Sequence, residues 1–210
     1  MPRCVLKRFE DDTNRFFYYD VKNRFIGSNG HAKSLNTESF YYSLETEEFL
    51  NKYVETPFSE LLQIIDKIDF NSESFNGPIE IEKLVKRFIY SLIARSPQMI
   101  SETSNHSLFF LLMNPRDQHD YAAQAGIRLA ENNNILQDYF VTFAVNKSQT
   151  PFILSMYGLY SFSYNRIPTV ILPVSPKIAI MLVHSEGRAF FIKDNVVSML
   201  LITESEKTKF

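Results

Sequence analysis

The feature that most constrains this chain is a change in the period of its apolar residues. Between residues 49 and 93 they recur at helical spacing; beyond residue 139 they come in short blocks cut by prolines. In the first region Phe49, Leu50, Tyr53, Val54, Pro57, Phe58, Leu61, Leu62, Ile65 and Ile68 form one stripe, the pattern of an amphipathic helix. Thr46 is expected as its N-cap, with Glu47 and Glu48 in the first turn where the dipole favours acids. Pro57 lies inside the pattern, removes one backbone hydrogen bond, and should kink or split the helix. A loop with Asn71, Ser72 and Gly77 leads to a second helix, with Pro78 in its first turn. Ile81, Leu84, Val85, Phe88, Ile89, Leu92 and Ile93 mark its buried face, and Ser96-Pro97 ends it. The two stripes should pack as an antiparallel helical hairpin.

The rest of the chain frames that hairpin. The first ten residues read as a short helix or a strand. Residues 16–21 and 25–28 read as two strands around Lys22-Asn23, followed by a polar connection to Phe40, Tyr41 and Tyr42. Residues 107–113 are apolar and of either type. Residues 117–131 read as a weaker helix with Tyr121, Ala125 and Leu129 on one face. Strands are expected over 139–145, 152–155, 169–174, 177–183 and 189–193, punctuated by Pro151, Pro168, Pro173 and Pro176. A last helix is expected over 194–204. The fold class is therefore α+β: an N-terminal β ribbon, a central helical hairpin and a C-terminal mostly antiparallel sheet with a terminal helix. We expect one domain over 1–210, with a helical part over 44–134 and a sheet part over 135–210.

Composition narrows the functional classes. The net charge is −2, so no global field steers the chain to nucleic acid or anionic lipid, and no run of Lys or Arg marks a local patch. The single cysteine, Cys4, excludes an internal disulfide framework and suits a reducing compartment. No apolar run approaches ~20 residues. The start, Met1-Pro2-Arg3, is not an apolar signal core. A cytoplasmic protein without membrane contact is expected. The sequons Asn105-His106-Ser107 and Asn146-Lys147-Ser148 carry no meaning there. Among 19 Phe and 11 Tyr, most are expected in the core. The aromatic clusters at 40–42 and 157–164 are places to look for an interface.

Few polar residues invite chemistry. His31, His106, His119 and His184 show no metal-ligand spacing and read as surface or partly buried imidazoles. Six scattered glycines form no phosphate loop, and no Ser lies in a Gly-x-Ser-x-Gly elbow. Neither a metal nor a cofactor is expected. Cys4 reads as an inert structural thiol. Glu55 lies just off the buried stripe, between Asn51 and Ser59 on the same side, and its default reading is a solvated helix face. Arg95 ends the second helix, where a cation suits the dipole. An antiparallel hairpin does not by itself bring Glu55 and Arg95 together. Ser175 and Lys177 flank Pro176 between two strands. They read either as turn chemistry or as an anion-binding edge.

Several segments together resemble a known family. They are VLKRF (residues 5–9), FFYYDV (16–21), KSLNTESFYYS (33–43), FLNKYVETPFSELLQIID (49–66), TPFILS (150–155) and LPVSPKIAIML (172–182). In this order they are similar to domain-of-unknown-function family 4238, an uncharacterised bacterial family associated with mobile elements and defence-type gene neighbourhoods. The resemblance adds weight to Glu55, because a Glu in this helix belongs to the family pattern. It adds weight also to Arg95, because an Arg before a small residue and Pro recurs there. Two family features are missing. The His-Tyr-Val-Pro-like motif before the first segment is replaced by Met1-Pro2-Arg3. The Ser-Asp-Asn-Pro-like motif after TPFILS is replaced by Ser155-Met156-Tyr157. Either an activity needing that His and Asp is lost, or the native start lies upstream.

Two functional expectations follow. The first is a cytosolic protein- or ligand-binding component of a bacterial defence or mobile-element system. It would act on a protein partner or as a homo-oligomer, with Glu55, Arg95, Ser175 and Lys177 as ligand-binding candidates. The alternative is a toxin-like hydrolytic effector, for instance a nuclease; nucleic acid is an open partner class that the charge does not signal. A nuclease needs clustered carboxylates to hold metal ions, and spacing reveals no such cluster.

Overall fold

The computed structural model describes residues 2–20, 22–31, 42–68, 74–75, 79–132, 136–155, 158–187, 192–193, 196–198 and 200–202. The chain opens as helix: α1 (Arg3–Leu6) runs into a 3-10 turn over Lys7–Phe9 and buries Val5 and Leu6. The ribbon follows as β1 (Phe16–Asp20) and β2 (Phe25–Gly30), paired antiparallel with Asp20 opposite Phe25. The Asp20 carboxylate closes the turn by accepting from the Asn23 backbone N–H at 2.9 Å and the Asn23 side chain at 2.8 Å. Tyr18 faces Gly27, and its ring fills the space a Cβ would need there.

The first long helical arm is α2 (Leu44–Leu50), a π turn over Asn51–Glu55, and α3 (Thr56–Ile65). Its cap is Ser43, whose hydroxyl accepts from the Thr46 N–H at 3.2 Å. The expected cap, Thr46, lies buried inside the first turn, and Glu45 and Glu47 are the acids there. Pro57 disturbs the arm as expected, but through an inserted π turn. Proline offers no N–H to the carbonyl four residues back. The Thr56 N–H instead bonds the Asn51 carbonyl five residues back, and α3 restarts with Pro57 in its first turn.

After the short strand β3 (Ser74–Phe75), α4 (Ile79–Ala94) buries Ile81, Val85, Phe88, Ile89 and Leu92, as the stripe predicts. The two arms run antiparallel: Phe58 stacks on Phe88 with ring centroids 3.5 Å apart, while Glu55, earlier in its arm, meets Arg95, later in the other. Three further helices follow. These are α5 (Pro97–His106), capped by the Ser96 hydroxyl, α6 (Leu108–Leu111) and α7 (Pro115–Asn132). The buried face of α7 is not the expected one. Ala122, Ala123, Gly126 and Ile127 turn inward, while Tyr121 is 52 % exposed. Small residues win because α7 packs close to α4: a Cβ on Gly126 would lie 2.7 Å from the Ala94 Cβ. The side chain of Leu129 is outside the description.

The C-terminal sheet holds β4 (Tyr139–Asn146), β5 (Tyr160–Tyr164), β6 (Ile167–Pro173), β7 (Ile178–His184) and β10 (Leu200–Ile202), in the order β10-β4-β7-β6-β5. All neighbours pair antiparallel except β10, which runs parallel to β4. A second small sheet joins β3 to β9 (Val196–Ser198) and β8 (Ile192–Lys193). The expected terminal helix is thus corrected: residues 196–198 and 200–202 are strands. Val196, Val197 and Ile202 are β-branched, and a short apolar run does not separate strand from buried helix by period alone. Residues 152–155, expected as a strand, run irregularly, held where the Phe152 N–H bonds the Pro176 carbonyl at 2.9 Å. Pro78, Gly77, Asn71, Ser72, Phe40, Tyr41, Tyr157 and residues 189–191 lie outside the described residues.

The core is layered. On one face of the sheet Val141, Phe143, Val145, Leu172, Ile180 and Leu182 join Phe58, Leu61, Val85 and Phe88 of the hairpin in one apolar cluster. On the other face Phe140, Ala144, Ile171, Met181 and Val183 pack with Phe152 and Phe162. Burial on both faces explains the nearly unbroken apolar runs of β4 and β7. Among the described residues no helix is long and apolar enough to cross a membrane.

Candidate functional site

The polar residues worth explaining gather where α1, the π turn and the end of α4 meet. The inserted π turn advances the helix face, so a position that ordinary helical spacing leaves in solvent turns inward. Glu55 is the last residue of that turn; its side chain is only 36 % exposed. Its Oε1 lies 3.9 Å from Nη1 of Arg95, whose side chain is 12 % exposed. Burial pushes the Glu55 carboxyl above the ordinary carboxylate range; the Arg95 guanidinium pulls it down, and Glu47 pushes it further up.

Arg95 is anchored on its own helix. Its Nε donates to the Ser91 carbonyl at 3.0 Å. Its Nη2 is buried with no hydrogen-bond partner among the described residues, and the same holds for the Ser91 hydroxyl. Unsatisfied groups of this kind each cost about 1–3 kcal/mol. The ion pair is therefore a loose one, held at the edge of contact distance by two packed helices.

Cys4 completes the junction from α1. Its thiol is partly buried, and its pKa is pushed up to about 11 by burial first and by the negative charge of Glu55 second. It stays protonated at neutral pH, so it is a neutral packing group and a weak donor rather than a nucleophile.

Beside this junction a groove of about 350 Å³ runs between α1 and α3. Arg3, Cys4, Lys7 and Arg8 form one wall. Ser59, Leu62 and Gln63 form the other, with Ser59 one turn beyond Glu55. Arg8 is a brace: its guanidinium grips both oxygens of Asp66, and its Nε donates to the Val174 carbonyl at 2.7 Å. That grip holds the Asp66 carboxyl below its ordinary pKa. Arg3 and Lys7 enter no ion pair among the described residues.

Of the four sequence candidates, the structure brings Glu55 and Arg95 together and places Ser175 and Lys177 in a turn. The Ser175 hydroxyl accepts from the Lys177 N–H at 3.3 Å and the Ile178 N–H at 3.0 Å. The Lys177 ammonium donates to the Ser148 carbonyl at 2.8 Å. All these contacts hold the β6–β7 bend against the loop after β4. Asn146 of the second sequon is buried at the end of β4, its amide donating to the Thr150 carbonyl of that loop at 2.7 Å. The groove residues Arg3, Lys7, Ser59 and Gln63 were not sequence candidates; a helical reading of residues 3–9 would have put Arg3 and Lys7 on one face.

The imidazoles are scattered. His31 contacts the Asn14 carbonyl at 2.7 Å, His119 lies edge-on to Tyr42, and His184 lies 3.7 Å from Glu186. The side chain of His106 is outside the description. Among the described residues no three His, Cys, Asp or Glu side chains converge as a metal cluster would. Compared with protein-family models, curated proteins and solved structures, the chain matches none.

Proposed function

We propose that this protein is a binding component, and that its ligand sits in the groove between α1 and α3 against the Glu55–Arg95 junction. The observation that carries this reading is the groove itself, of about 350 Å³ and lined by cations, a hydroxyl and an amide. The groove is shallow and open to solvent, so a ligand there would be held by its few placed polar groups rather than by enclosure. The nearest reactive group, Cys4, is held protonated, which suits a wall better than a nucleophile. The resemblance to family 4238 supplies the setting we propose, a bacterial defence or mobile-element system. In that setting the chain would act with a protein partner or a second copy of itself. The alternative, a hydrolytic effector, has no observation in its favour at this junction.

The test is growth of a bacterial host on induction of the native chain, Glu55→Ala and Arg95→Ala, with folding of each checked by circular dichroism. Normal growth in all three is expected. Arrest by the native chain, relieved by either substitution in a folded variant, would replace the binding reading with an active effector.

A further inference from the structure

The groove between α1 and α3 is lined by three cations, Arg3, Lys7 and Arg8. We propose that it binds a phosphorylated small molecule, whose dianionic phosphate sits between Arg3 and Lys7 and receives hydrogen bonds from Ser59 and Gln63. This inference rests on the binding reading above and names the ligand class for the same site.

Two of the nearby carboxylates are matched by an arginine. Asp66 is gripped by Arg8, and Glu55 faces Arg95. The neighbouring thiol stays neutral. Two further cations line the same groove, Arg3 and Lys7, and neither enters an ion pair among the described residues. A phosphate monoester carries about −1.5 to −2 charge at neutral pH, with a second pKa near 6, a charge opposite to that of these two side chains. Arg presents a planar donor fork that fits phosphate oxygens, and Lys adds a point charge. The opposite wall supplies the hydroxyl of Ser59 and the amide of Gln63, both able to donate. The groove, of about 350 Å³, is open to solvent and leaves room for a small anion.

The experiment is calorimetric titration of the full chain with pyrophosphate and with inorganic phosphate at constant ionic strength. It is repeated for Arg3→Ser, Lys7→Ser, the double variant, and Lys22→Ser in the exposed ribbon turn as control. Saturable binding is expected, weakened about tenfold by each groove substitution and unchanged by Lys22→Ser. The two groove residues are exposed, so the variants should keep the native melting temperature. No saturable binding, or equal affinity in the double variant, overturns the proposal. Binding to phosphatidic acid vesicles without binding to free phosphate overturns it also, by pointing to a membrane headgroup. A chain that binds no phosphate yet leaves host growth untouched loses the ligand class and keeps the binding reading; growth arrest relieved at Glu55 or Arg95 removes that reading whatever the titration shows.

Discussion

Gly126→Ala is the substitution for which secondary-structure propensity and packing make opposite predictions. Gly126 lies inside α7, where Ala is better than Gly by about 1 kcal/mol in an exposed helix. Propensity alone therefore predicts a more stable protein. Packing predicts the reverse. The new Cβ would lie 2.7 Å from the Ala94 Cβ, 3.3 Å from the Ser91 Cα and 3.3 Å from the Tyr90 carbonyl oxygen. None of these atoms ends a flexible side chain, and two belong to the backbone, so α4 and α7 must separate. Overpacking of this kind costs about 1–3 kcal/mol, so the net change is a loss of about 1 kcal/mol and at most about 2. For a chain of this size that lowers Tm by about 2–4 °C per kcal/mol. Urea and thermal denaturation followed by circular dichroism read the effect. Ala94→Gly placed in the Gly126→Ala background removes the closest contact and should recover stability beyond additivity. A Gly126→Ala variant stabilised by about 1 kcal/mol would refute the close crossing, and with it the position of the α4 end from which Arg95 reaches Glu55.

Other consequences are as direct. Phe88→Ala empties a stacked, fully buried site and should cost about 3–5 kcal/mol in urea denaturation; a loss under 1 kcal/mol would contradict the hairpin core. Because burial raises the folded-state pKa of Glu55 above the ordinary 4.5, its contribution to stability is full below 4.5 and is lost as pH rises through the raised value. Glu55→Gln should therefore gain stability relative to the native chain as pH rises above 4.5, and an unchanged pH slope would contradict the raised pKa of this half-buried carboxyl. The alkylation rate of Cys4, the single cysteine, should rise with pH toward an inflection near 11. Glu55→Gln should move that inflection down, since the Glu55 charge is one cause of the shift; an inflection that stays put would separate the two residues. Ser175→Ala should cost about 1 kcal/mol by freeing two backbone N–H groups while leaving phosphate binding unchanged, which titration and melting on one sample will show.

The parts legible in the sequence were those with long, regular patterns. The hairpin stripes and the strands β4, β6 and β7 announced themselves because each buries a whole face. Strand β5 stayed hidden among aromatics flagged as an interface. Its hairpin turn, Asn165-Arg166, takes positive φ at both positions, 49° and 68°, without the glycine that usually signals such a turn. Strands β9 and β10 passed for a helix because three-residue strands show no period. Spacing alone puts Glu55 on a solvated face; the π turn breaks that spacing and half-buries it. For Ser175 and Lys177 the sequence fits a turn or an anion edge, and their hydrogen bonds are those of a turn. Arg3 and Lys7 carry no motif at all: their meaning comes from Ser59 and Gln63, more than fifty residues away, which only the packing of α1 on α3 brings near.

We propose the groove between α1 and α3 as the ligand site. The most direct test is an amide chemical-shift titration of the full chain with pyrophosphate at constant ionic strength. The account predicts saturable shifts at Cys4, Lys7, Ser59 and Gln63, and none around Asn146, Ser148 and Lys177. Shifts confined to the Lys177 turn, or spread over exposed lysines without saturation, would contradict it.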